Sequence, residues 1–88
     1  MLLKVIRNLK DINAEHLIDN KWQPYAEGVE SARDAYNAII MLTPIREIET
    51  RVKMKLAHAY ADLEGATNNA EKACQNGMID FYEFILSK

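Results

Sequence analysis

Few side chains in this 88-residue sequence are of a type that does covalent chemistry: one cysteine, two histidines and two serines. Cys74 has no obvious activating neighbour and reads as a small buried apolar residue. Ser31 falls in the middle of an expected helix and Ser87 at the chain end, neither beside a histidine that would activate it. His58 and Asp62 are four apart and share a helix face, but a metal needs more ligands than that pair provides. His16 beside Glu15 reads as a solvated residue in a first helical turn. Carboxylates are numerous but dispersed, and no glycine-rich phosphate loop is present. The expectation is a protein that is not an enzyme, with no catalytic residue, no metal and no cofactor.

Binding is what remains, and two clusters of cations are its candidates. Lys21, Trp22 and Tyr25 gather one charge and two aromatic rings around a turn and a helix start. A ring stacks on a base, a lysine neutralises a phosphate, and a helix start presents free N–H groups to an anion. The same two rings would equally well close the open end of a helical hairpin. The second cluster is Arg46, Arg51, Lys53 and Lys55. Arg46 and Lys53 are seven apart on one face and form a second candidate anion site, or a solvated face balanced by Glu47 and Glu49.

Composition narrows the partners. Eleven basic residues against thirteen acidic ones give a formal net charge of −2, which is no footprint for duplex nucleic acid. No apolar run is long enough to span a bilayer, and the first nine residues carry Lys4 and Arg7 without a small-residue cleavage site. With a lone thiol, the expected location is the cytoplasm.

The elements that must position these residues are helical, because only three glycines and two prolines interrupt a chain rich in helix formers. In 2–9, Leu2, Val5, Ile6 and Leu9 recur at helical spacing, and Asp11 or Asn13 would cap a short helix over 14–18. Over 24–42 the seam is Tyr25, Val29, Ala32, Tyr36, Ile39 and Ile40, with Gly28 affordable only at a close helix contact. Thr43-Pro44 punctuates the chain, Thr43 as N-cap and Pro44 as first residue of the next helix. That helix carries Ile45, Ile48, Val52, Leu56, Ala59, Tyr60 and Leu63 on one face. Ala66, Ala70 and Ala73 keep its register, so it is expected to continue through Gly65 to Cys74; the alternative is a break over 65–69, recapped by Thr67. Gly77 either ends a helix or thins it for close packing.

The fold class expected is all-α: one domain over 1–88, a helical hairpin with short N-terminal helices, assembling into a helical oligomer. Self-association is expected because a chain this short buries little core and has neither disulfide nor metal to help. The apolar tail, with Met78, Phe81, Tyr82, Phe84 and Ile85, is the expected interface.

Two short motifs add a resemblance. Ile6-Arg7-Asn8-Leu9 followed by Lys21, and Gln75-Asn76-Gly77-Met78-Ile79 near the end, are similar to motifs of the phage cyclic-oligonucleotide sponges of the anti-CBASS type. They touch both ends of the chain but few positions. Members of that family are helical hairpins that form hexamers and sequester signalling nucleotides without cleaving them. The resemblance implies Lys21 alone as a ligand contact, a phosphate partner. Two departures stand against it: Ile6 occupies the position of a base-stacking aromatic, and the tryptophan expected upstream of Gln75 is absent. Trp22 or Tyr25 would have to supply the ring, which is an inference from their position and not from the family.

The function expected is therefore sequestration of a small anionic ligand by an oligomer, with Lys21, Trp22, Tyr25 and Arg7 as ligand-binding residues. The resemblance makes that ligand a cyclic oligonucleotide signal of bacterial antiphage immunity, met in the host cytoplasm. The alternatives are a small helical inhibitor of a host protein and a structural subunit of a larger assembly.

Overall fold

In the computed structural model, residues 22–87 are described, and they form three helices: α1 over Gln23–Leu42, α2 over Ile45–Gly65 and α3 over Asn69–Leu86. The expected short helices over 2–9 and 14–18 lie outside the described residues.

α1 begins one residue earlier than its proline suggests. Trp22 is the N-cap and its carbonyl accepts the Ala26 N–H at 3.0 Å, while Pro24 in the first turn needs no donor there. The turn into α2 also shifts by one position. Thr43 closes α1, donating its N–H to the Ile39 carbonyl at 3.0 Å, and Pro44 is the N-cap of α2, with its carbonyl accepting the Glu47 N–H at 2.9 Å.

The expected continuity from Gly65 to Cys74 is wrong. α2 stops at Gly65, Ala66 is extended, and Asn68 starts a new helix. The Asn68 side chain accepts the Glu71 N–H at 2.8 Å, and the Glu71 carboxylate accepts the Thr67 N–H at 3.1 Å. This reciprocal pair satisfies donors that a helix start leaves open. The recap is therefore at Asn68, not Thr67. The alanine spacing that suggested continuity is outweighed by two capping bonds and by the burial that a third helix makes available.

That burial is extensive. α3 packs along both other helices, whereas α1 and α2 touch each other little. The core combines Val29, Ala32, Tyr36 and Ile39 of α1, Ile48 and Val52 of α2, and Phe81, Tyr82 and Ile85 of α3. Tyr36 and Phe81 meet edge to face at 6.0 Å, as do Phe81 and Tyr82. The α1–α3 crossing is set by two glycines: a Cβ on Gly28 would overlap the Cys74 carbonyl, and one on Gly77 would overlap the Tyr25 carbonyl. Each glycine costs a helix about 1 kcal/mol in isolation, offset here by backbone contact that any side chain would prevent. Gly77 therefore thins α3; it does not end it.

Candidate functional site

The tail residues expected at an interface are mostly spent inside the chain. Phe81 and Tyr82 are fully buried and Ile85 is 1% exposed, with Met78 and Phe84 half-buried against the same cluster. The break at Ala66 turns α3 back onto its neighbours, so this stripe packs on α1 and α2 and offers Phe81, Tyr82 and Ile85 to no second copy.

The aromatic–cation cluster is likewise divided. Arg7 and Lys21 lie outside the described residues. Trp22 is exposed at the head of α1, while Tyr25 is half-buried and donates its hydroxyl to Asp80 Oδ2 of α3 at 2.5 Å. Burial, then the hydrogen bond to this carboxylate and its charge, raise the Tyr25 pKa well above the usual phenol range. The bond thus ties Tyr25 to the core and sets a negative charge beside it, the wrong sign for an anion site.

The second cation cluster divides along the helix instead. Arg46 and Lys53 are exposed and are not among the lining of the groove between α1 and α2, which Arg51 and Lys55 face. Two residues turn a helix by about 200°, so Lys53 and Lys55 point to different sides. The groove holds about 380 Å³. One wall is Ala35, Ala38, Ile39 and Leu42; the other is Arg51, Met54, Lys55 and His58, with Thr43 at the turn end. Each wall repeats the spacing i, i+3, i+4, i+7, one continuous face of its helix.

Chemically, the groove is apolar on the α1 side and cationic along α2. Leu42 is 83% exposed and Met54 49%, so apolar surface at the rim is uncovered. An arginine and a lysine one helical turn apart can hold a phosphate or carboxylate, the guanidinium by paired N–H donors and the ammonium as a point charge. Among the described residues no group of three or more His, Cys, Asp or Glu side chains gathers as a metal site, and no helix is long and apolar enough to cross a membrane. No protein-family model, curated protein or solved structure matches the chain.

The signal for this groove was present in the sequence. Ala35, Ala38 and Leu42 are small or apolar residues on the flank of the core seam, and Arg51, Lys55 and His58 repeat at helical spacing. Grouping Arg46 with Lys53 by their heptad separation passed over that second row.

Proposed function

We propose that this protein is a self-associating, non-enzymatic binding protein that sequesters a small anionic ligand in the α1–α2 groove. The observation that carries the reading is the convergence of Arg51, Lys55 and His58 on an open groove whose other wall is apolar. Such a groove suits a ligand with negative charge at one edge and an apolar or aromatic body, a description that cyclic oligonucleotides meet. The motif resemblance to phage sponges supports that ligand class. Isothermal titration with a panel of cyclic di- and trinucleotides tests the reading. Heat of binding that disappears in Arg51→Ala/Lys55→Ala supports it, and no heat with any member removes it.

A second reading, inhibition of a host protein, is favoured by the helical spacing of both walls. Two parallel rows of this kind form the seat that an amphipathic helix takes in a groove. A monomeric complex with one host protein, lost on Leu42→Asp, would replace the first reading.

A further inference from the structure

The groove has a charged neighbour on its apolar side. Glu27, Glu30 and Asp34 are exposed on α1, and Asp34 lies one residue from Ala35 and one turn before Ala38, both groove-lining positions. One lip of the hairpin is therefore acidic, and the other, on α2, presents Arg51, Lys55 and His58 in the middle of a row that Glu47 and Asp62 bound one turn away at either end. Between the lips lie Leu42 and Met54, exposed enough to leave apolar surface in water, with Met41 beside them 74% exposed.

A surface with opposite charges on its two lips is complementary to itself. We infer that a second copy of this chain closes the groove, hairpin against hairpin, with the acidic lip of each α1 set on the cationic lip of the other copy's α2. A two-fold axis running along the hairpin brings this about. It places α1 of one copy opposite α2 of the other at the same axial level, and both contacts occur twice because the interface is isologous. Asp34 is the acidic residue beside the α1 wall and Lys55 lies on the α2 wall, so this operation brings together the lips that carry them. Leu42 and Met54 are then covered between the two hairpins. The small side chains of Ala35 and Ala38 let the helices approach, giving a four-helix arrangement with α3 outside on each flank.

The alternative operation, with the axis across the hairpin, sets α2 against α2 and brings Lys55 and Arg51 near their own copies. Like charges facing one another disfavour it. Charge decides between the two, and it selects the arrangement in which α1 meets α2.

This inference rests on the self-association in the proposed function and replaces the apolar tail as the contact. It also links assembly to the ligand. A bound anion at Lys55 repels the other copy's Asp34, so ligand and second copy each weaken the other reciprocally.

Sedimentation velocity of the full chain, over a concentration series at low salt, is the test. The wild type is expected to sediment as a dimer. Lys55→Glu and Asp34→Lys should each shift it to monomer, with helical circular dichroism unchanged because both positions are exposed. The double variant Lys55→Glu/Asp34→Lys, which restores opposite charges with the signs exchanged, should recover the dimer. An equimolar mixture of the two single variants should recover a dimer of one copy of each, because both of its 34–55 contacts then join opposite charges. A dimer indifferent to all three variants overturns the inference while leaving self-association intact, and a wild type that is monomeric throughout overturns both. Failure of the ligand reading is distinct: no cyclic nucleotide binds, yet the charge-swap pattern stands.

Discussion

α1 makes two contacts of opposite character. Towards α3 it is closed: glycines bring backbones together, aromatic rings interlock, and Tyr25 reaches across to Asp80. Towards α2 it is open: the two helices diverge from the Thr43–Pro44 turn and leave a groove with a cationic wall. The closed one holds the core, and the open one leaves Leu42 and Met54 in water.

The comparison breaks most completely under alkali. Tyr25, Tyr36 and Tyr82 lie on the closed side, and burial raises the pKa of all three. Tyr60 is raised too, chiefly because its hydroxyl donates to Glu83 at 2.8 Å. A phenol whose folded pKa lies above its unfolded value of about 10 binds its proton more tightly when folded. Its contribution to stability is complete below that pH and is lost as pH rises through the folded pKa. Helical signal should therefore collapse above about pH 10, with tyrosinate absorbance appearing together with the collapse. Free titration of the tyrosines in a folded chain would show that the closed side is not closed.

Next in size is Gly77→Ala. The added methyl meets the α1 backbone and not a movable side chain, so the expected loss is about 2–3 kcal/mol by chemical denaturation, despite alanine's better helix propensity. Asn68→Ala removes the cap that turns α3 back and should cost about 1 kcal/mol. Tyr82→Phe sharpens the comparison from the other direction. Its buried hydroxyl has no hydrogen-bond partner among the described residues, so removing it should leave stability unchanged or raise it by up to about 1 kcal/mol. Smallest is Lys55→Ala on the open side, expected within about 0.5 kcal/mol when the protein is dilute. A larger loss there would mean that the groove wall supports the single chain.

Much of the helical architecture is legible in the residues, because its causes are local. The seam of Val29, Ala32, Tyr36 and Ile39 is a periodic pattern, and Pro44 forbids α1 from continuing. The break at Ala66 was harder to read. The same alanines fit a continuous helix, and the Asn68–Glu71 cap is a pattern that also occurs where helices do not begin. The site was read least well. Arg51 and Lys55 were visible as cations, but which of four cations share a groove depends on the angle at which α2 leaves the turn.

What the sequence settled by itself is the class of object: a chain with few breakers and amphipathic periodicity forms helices, and a single thiol leaves no disulfide within the chain. What only the tertiary structure decided is which apolar stripe is used up. Phe81, Tyr82 and Ile85 look from their spacing like surface seeking a partner, yet α3 buries them against α1 and α2, while Leu42 and Met54 stay in water. Periodicity fixes which residues share a helix face, because that follows from backbone geometry. Which face meets which follows from the directions of the turns, and those arise only when all three helices pack at once.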